Sequence, residues 1–292
     1  MNRLFFYIKY FFQNVRLTLH LLGRGEFGRV SRALYARLYK FVLANIAFWF
    51  RRPFLKMPET PSSRIEVQTN HPVAFASPDH LAPYGTKYND STNKGFVLAM
   101  HDWFSSRYPA TALAFMDLGC SGGQLVKDFL TLHWLSVGLE GSDYSLKHKR
   151  ANWRELAGKH LFTSDITKPF FVTANERPLK FHLITAWEVM EHIHPDDLDA
   201  VFRNIRDHLV EGGCFVASTC SGPSVVDGIE LHQTRLNNAG WRKMIEDRYK
   251  DLEPVDLQLK THQYVRYDFG EPSFLVYRKR APLATDAMPK VA

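Results

Sequence analysis

The sequence predicts an α/β domain on a mostly parallel sheet with helices on both faces, preceded by a basic helical extension. Three observations predict it. From about residue 91, apolar runs of strand length alternate with runs of helical period. At Ala114-Phe-Met-Asp-Leu-Gly-Cys-Ser-Gly-Gly-Gln-Leu-Val126, an apolar run ends in an acid, turns through small residues and continues as an amphipathic segment. Charge is also divided along the chain, whose 292 residues carry a net +7. Residues 1–58 hold eleven basic side chains against one acid, Glu26, so the remainder holds 26 basic and 29 acidic residues. The positive charge belongs to the extension and not to the body.

In the extension, Leu4, Phe5, Ile8, Phe11, Phe12, Val15, Leu19 and Leu22 fall on one helical face, with Lys9, Gln13, Arg16 and His20 opposite and Gly23 and Gly25 as a stop. A second helical stretch contains Phe41-Val-Leu-Ala-Asn-Ile-Ala-Phe-Trp-Phe50 between Lys40 and Arg51-Arg52. Ten such residues make about 15 Å of helix, short of the roughly 20 residues a bilayer requires. No small-residue cleavage site follows a continuous apolar core, so a signal peptide is not expected. A basic helix with an aromatic face suits a membrane interface, a partner protein, a second subunit in a homodimer, or its own domain. A cleaved mitochondrial presequence and nucleic acid are weaker readings. Pro53, Pro58 and Pro61 mark a linker, and residues 59–90 read as a loop-rich linker or lid segment.

The domain is expected over residues 91–282, with a flexible tail at 283–292. Thr92–Arg107 reads as a helix capped by Asp90 or Ser91. Leu113–Leu118 is a strand, Gln124–Leu132 a helix, Leu135–Leu139 a strand, Leu146–Leu156 a helix and Leu161–Thr163 a short strand. Phe181–Trp187 is a strand whose helix opens at Pro195-Asp-Asp, with proline at its first position and acids in its first turn. Leu198, Val201, Phe202, Ile205 and Leu209 form that helix's core stripe. Gly212-Gly213 ends it before the strand Cys214–Ser218. Cys120, Cys214 and Cys220 have no disulfide or zinc spacing and read as reduced, buried thiols of a cytoplasmic protein.

Ligands of such sheets sit at the carboxyl ends of the strands. A dinucleotide turn would need glycines at 119, 121 and 124, but the chain has Gly119, Ser121 and Gln124. What remains is Asp117-x-Gly119-x-Ser121-x-Gly123, where Gly119 allows a sharp turn and Gly123 opens the helix without a side chain. Glu140, followed by Gly141, can accept both hydroxyls of a ribose. Asp165 is placed to bind an adenine amino group, beside Ile166. Trp187 adds an aromatic, followed by Glu188, Glu191 and His192. Singly, each acid has a plain explanation as a cap or a solvated loop residue. Four at successive strand ends form a stronger signal.

Across roughly residues 88–280 the chain resembles the class I S-adenosylmethionine-dependent methyltransferases. The resemblance is carried by Asp117-Leu-Gly-Cys-Ser-Gly-Gly123, Gly138-Leu-Glu-Gly-Ser142, Ser164-Asp-Ile166, the segment Phe181 to Ile193 and Leu209-Val-Glu-Gly-Gly213. It implies a Rossmann-like, doubly wound seven-stranded sheet with an antiparallel last strand, and residues 255–260 and 273–279 fit the final hairpin. It also implies S-adenosyl-L-methionine as cofactor, with Asp117 and the glycine turn lining its methionine part, Glu140 holding its ribose and Asp165 and Ile166 flanking its adenine. Ser121 in place of a usual glycine, and Glu rather than Asp at 140, are departures.

A hydroxyl acceptor needs a general base. His232, before the helical segment Gln233–Tyr249, is the candidate, and Glu-Leu-His232 followed by Trp241 resembles a segment of sugar and natural-product O-methyltransferases. A histidine capping a helix is the plainer alternative. Glu188 and His192 are further catalytic candidates. Glu188, Glu191 and His192, with His232 as a fourth ligand, resemble a cluster that binds a divalent metal in some methyltransferases and shapes the cofactor loop in others; the loop role is the expectation here and a metal the lesser alternative. Base methylation of nucleic acid is disfavoured because no Asp/Asn-Pro-Pro-aromatic string and no Pro-Cys nucleophile follows the fourth strand. The expected activity is O-methylation of a small-molecule, glycan or lipid-linked acceptor. RNA or protein methylation and an inactive cofactor-binding scaffold are the alternatives.

Overall fold

Short strands in this chain are apolar on both faces and can be buried only beside one another, under helices. The computed structural model describes residues 23–24, 27–55, 63–109, 112–266 and 273–281. The first predicted helix, over Leu4–Leu22, and the tail at 283–292 lie outside the described residues. The described residues form twelve strands: β1 (Ile65–Thr69), β2 (Ala114–Leu118), β3 (Leu135–Glu140), β4 (Leu161–Thr163), β5 (Phe170–Ala174), β6 (Arg177–Pro178), β7 (Phe181–Trp187), β8 (Leu209–Thr219), β9 (Val225–Val226), β10 (Ile229–Glu230), β11 (Leu252–Pro254) and β12 (Ser273–Lys279). Seven make one sheet in the order β11-β12-β8-β7-β2-β3-β4. Its central pairings are parallel, while β12 runs antiparallel to both β8 and β11. This is the doubly wound, Rossmann-like architecture with an antiparallel last strand.

Every residue of β2 and β7 is buried. The twofold period of a strand then divides their side chains between two cores. Met116 and Ile184 face a cluster containing the helix Leu198–His208 and Trp241. Phe115 and Leu183 face a second cluster with Phe96, Phe129 and Phe48 from three other helices. The stripe Leu198, Val201, Phe202 and Ile205 is buried as its spacing requires.

Local structure departs from expectation where tertiary contacts outweigh sequence pattern. The helix Lys94–Arg107 is capped by Asn93, whose side chain accepts from the Gly95 amide, while Asp90 accepts from the Gln124 amide at 2.9 Å and caps the following helix. The helix expected over Leu146–Leu156 is two single turns, Tyr144–Lys147 and Trp153–Leu156. Lys149 and Ala151 between them are left-handed, at φ +46° and +45°. That break turns Arg150 inward, where its Nε donates to the Thr86 carbonyl at 2.6 Å.

The helix expected from Gln233 spans only Asn238–Arg248, and the penultimate strand lies at Leu252–Pro254 instead of 255–260. β8 starts at Leu209, so the preceding helix ends before Gly212-Gly213. The segment read as a linker or lid carries β1, which pairs with β5 beside β6 in a separate antiparallel sheet, and short helices at Pro78–Leu81 and Tyr84–Tyr88. The three cysteines form no disulfide; Cys120 and Cys214 are buried, but Cys220 is only half-buried.

In the extension, the helices Phe27–Leu38 and Ala44–Arg51 are joined by a wider π-helical turn, Tyr39–Leu43. Val30, Ala33, Ala36, Ala44 and Phe48 are buried. Arg51 forms a two-pronged ion pair with Asp102, and the Arg52 Nε donates to the Thr131 carbonyl. One side of the extension therefore belongs to the domain. Truncating a fully buried phenylalanine costs about 3–5 kcal/mol. Phe48→Ala should accordingly lower the denaturant midpoint of the whole chain, read by urea titration; an unchanged midpoint would mean that the extension is not docked.

Candidate active site

The sheet's winding reverses between β2 and β7, so a crevice opens at their carboxyl ends. A cavity of about 670 Å³ lies there, of a size that takes a nucleoside-containing ligand. The turn after β2 is held by its own backbone: the Gly119 and Cys120 amides both donate to the Leu139 carbonyl, at 2.8 and 3.0 Å. Gly119 is left-handed at φ +69°, and a Cβ there would lie 2.4 Å from Val189 Cγ2. Any side chain would be strained and would crowd the crevice. Ser121 keeps the left-handed conformation, at φ +49°, without being glycine. Its carbonyl accepts from the Trp153 indole at 2.6 Å and its hydroxyl from Arg150 at 2.9 Å.

Glu140, at the end of β3, is buried and engaged from three sides. The Ser121 amide donates to it at 2.7 Å, Thr86 Oγ1 at 3.3 Å and the Ser142 amide at 3.4 Å. Thr86 belongs to the segment 71–90, which covers the crevice. The Ala74 amide fastens that segment to the Gly141 carbonyl, and the His71 carbonyl accepts from the Asp165 amide, both at 2.9 Å. Asp117, expected to line the cofactor site, is buried and does not line the cavity; its Oδ1 accepts from Thr185 Oγ1 at 2.6 Å. Burial raises both carboxyls to about 7; for Asp117 the nearby Glu140 charge adds to that, and hydrogen bonds hold each partly back.

Beyond this half of the cavity lies a second cluster. After β7 the chain turns at Glu188, which is left-handed at φ +56° and accepts from Ser218 Oγ at 2.6 Å. Glu191 Oε1 accepts from the Cys220 amide at 2.9 Å, while its buried Oε2 has no hydrogen-bond partner among the described residues. Burial and the Glu188 charge raise Glu191 to about 8. His192 Nδ1 lies 2.7 Å from Asp79 of the covering segment. Burial alone would make His192 harder to protonate, but Asp79, Glu191 and Glu188 outweigh it and raise its pKa. The His232 ring packs edge-on against His192, with centroids 4.8 Å apart. Its Nδ1 sits 2.5 Å from the Gly222 carbonyl, which can only accept, so the proton is on Nδ1 and the Nε2 lone pair is available. Burial, reinforced by the neighbouring His192 charge, lowers the His232 pKa. Donor atoms of Glu191, His192 and His232 lie within 4.8 Å of one another, so the cluster for which no metal was expected also has the composition of a divalent-cation site.

Of the predicted residues, Gly119, Ser121, Glu140, Gly141, Asp165, Ile166, Trp187, Glu188, His192 and His232 line one cavity. Gly123 does not, which corrects its reading as a ligand-facing glycine. Its left-handed φ of +80° and a Cβ position 2.5 Å from Leu161 make it a packing requirement of β4. The Asp165 carboxylate is occupied by the Thr167 amide and hydroxyl, at 2.9 and 2.7 Å. Trp187 is nearly buried, packed edge-on against Phe96, and its indole N–H has no hydrogen-bond partner among the described residues. Sequence reasoning missed Asp79, Thr86, Asp90 and Arg150. Ser77-Pro-Asp79 carried a helix-start signal, but nothing in it pointed toward His192.

Unfolded carboxyls release their protons near pH 4, whereas folded Glu140 keeps its proton to about pH 7. Across that window the folded chain binds more protons, so this group's contribution to stability falls as pH rises and levels off above about 7. Glu140→Gln removes the titration. Its melting temperature relative to the parent should therefore climb by about 3 °C or more between about pH 5 and pH 8, read by calorimetry without ligand. A constant difference would contradict the burial effect.

The family model described as "Methyltransferase domain" matches residues 116–215, from within β2 to within β8. Among solved structures, the chain is similar to an S-adenosylmethionine-dependent methyltransferase from Clostridium acetobutylicum, with 14% identity over 70% of this chain and 96% of that one and a TM-score of 0.44. It is similar to magnesium protoporphyrin IX methyltransferase from Synechocystis with bound SAH, with 13% identity over 84% of this chain and 98% of that one and a TM-score of 0.41. It is also similar to a SAM-bound amino pentose methyltransferase from Micromonospora echinaspora, with 21% identity over 50% of this chain and 62% of that one and a TM-score of 0.35. The family match assigns a methyltransferase domain to residues 116–215, and the sheet around it has the Rossmann-like order.

Proposed function

We propose that the enzyme methylates an oxygen of a small-molecule, glycan or lipid-linked acceptor, with His232 as the general base. The observation that carries this reading is the Nδ1 contact of His232 with the Gly222 carbonyl, which leaves Nε2 unprotonated on the cavity wall. When bound, S-adenosylmethionine supplies an electrophilic methyl group on a sulfonium sulfur. The residues fit such a cofactor: the Glu140 carboxylate can accept hydroxyl hydrogens, and it lines one cavity with Gly119, Gly141 and the aromatic Trp187. Asp165 and Ile166 line the same cavity and would flank the adenine.

The two histidines divide the labour by environment. Asp79 and the nearby glutamates hold a proton on His192, and that charge helps keep His232 neutral. His232 takes the acceptor's proton, while His192 offsets negative charge developing on the oxygen. Asp79 joins this arrangement to the covering segment, so the proton-handling pair is assembled only with that segment in place.

Calorimetry should show S-adenosylmethionine binding that weakens at least ~10-fold in Glu140→Ala, the loss expected for one or two hydrogen bonds to a charged group. Absence of binding would favour a scaffold. With labelled cofactor and pooled glycans, lipids and small alcohols, the methylated product should be an ether or ester. A methylated amine, RNA or protein would refute the oxygen assignment. His232→Ala should lower kcat by about 10²–10³-fold with unchanged cofactor affinity. The parent's rate should rise with pH to a plateau, with its midpoint below the ordinary imidazole value of about 6.5, and the variant should lack that step. Chelation separates the two uses of the cluster: an unchanged rate supports proton transfer by imidazole, and a loss restored by magnesium or zinc supports a cation.

A further inference from the structure

We propose that the outward side of the N-terminal helices, residues 27–54, is a docking face for an anionic lipid bilayer. The inward side is spent on the domain through Val30, Ala33, Ala36, Ala44 and Phe48. The other side exposes Leu34, Leu38, Phe41, Ile46, Phe50 and Phe54, with Phe50 at 73% and Phe54 at 78% of full exposure. Trp49 is exposed beside them, with Arg52 5.7 Å from its ring. Large apolar side chains at this density mark an interaction surface and not ordinary scatter.

Charge selects the occupant. Residues 27–54 carry Arg29, Arg32, Arg37, Lys40, Arg51 and Arg52 and no acid, with the Arg51 charge paired to Asp102 of the domain. A second copy of the chain on this face would bring the same positive charge against itself across a twofold axis. Residues 1–22 are basic and aromatic too, carrying Arg3, Lys9 and Arg16 without an acid, so they extend the same electrostatic character and do not complement it. An anionic lipid surface satisfies both requirements. Aromatic and aliphatic side chains enter the headgroup boundary, and lysine and arginine meet lipid charge. No helix among the described residues is long and apolar enough to cross a membrane, so the contact would be in the interface plane.

The face is mechanically close to the cavity. Lys40 Nζ donates to the Val265 carbonyl at 2.8 Å, and Tyr35 and Tyr39 pack edge-on against His262, at 5.0 and 4.4 Å. The next residue along, Arg266, lines the cavity. Docking would therefore bring the cavity wall near the lipid surface, independently of which acceptor atom is methylated.

The test is co-sedimentation of the full chain with vesicles of equimolar phosphatidylcholine and phosphatidylglycerol, against phosphatidylcholine alone. Binding should favour the anionic vesicles, fall at least ~10-fold in the exposed-site variant Trp49→Ser/Phe50→Ser/Phe54→Ser, and be lost at about 1 M salt, where the Debye length is about 3 Å. Calorimetry with S-adenosylmethionine confirms that the variant is folded. Equal partitioning of parent and variant, or no binding to anionic vesicles, overturns the proposal. So does a parent dimer that the variant converts to monomer in sedimentation velocity, because the face would then be a contact between copies.

Discussion

The Glu140 carboxylate is the joint on which the site depends. Its two oxygens hold the Ser121 amide of the glycine turn, the Ser142 amide of its own strand end and the Thr86 hydroxyl of the covering segment. Three pieces of chain distant in sequence thus meet at one buried acid. Such a group is costly to desolvate, and the cost appears as a pKa raised to about 7. Its hydrogen bonds recover part of that cost, and a ligand hydroxyl would recover more. A cofactor bound as proposed would draw on the same lone pairs that serve the fold, so loading would change how tightly this joint is closed.

Arg150 reinforces the joint from behind. Its guanidinium donates to the Thr86 and Asn89 carbonyls and to Ser121 Oγ, tying the covering segment to the glycine turn. Because its donors point in fixed directions, it holds a shape and not merely a charge. A continuous helix over residues 144–156 would leave this side chain outside. The two left-handed residues flanking Arg150 are the local cost of bringing it in.

The central sheet was legible because its strands are buried on both faces and end in acids, a pattern that depends only on neighbouring residues. Gly119, Glu140, Asp165, Trp187 and His192 were singled out from it, whereas His232 was singled out by the need for a base and not by the strands. Other features are set by distant partners. Arg150 looked like one more solvated basic residue, since Thr86 lies 64 positions away. β1 and β5 are short, with β1 at the edge of a small separate sheet, so neither has a strong pattern. Asp79 meets His192 from a segment far away in sequence. Gly123 was read as space for a ligand, when Leu161 already fills the space. A glycine's sequence context shows that a side chain is unwelcome, but not which neighbour excludes it.

The pairing of β1 with β5 also imposes an order on biosynthesis. Ile65 pairs with Ala174, so the residues that close over the crevice emerge from the ribosome long before the strand that anchors them. At usual elongation rates that gap is roughly 5–20 seconds. During it the glycine turn and Glu140 are made while Asp79 and Thr86 still lack the anchor that will hold them over the crevice. The extension waits longer still, since its contacts with His262 and Val265 are among the last to be synthesised. Its basic, aromatic surface is therefore made well before the contacts behind it, and docking as proposed would be open to the nascent chain ahead of its own completion.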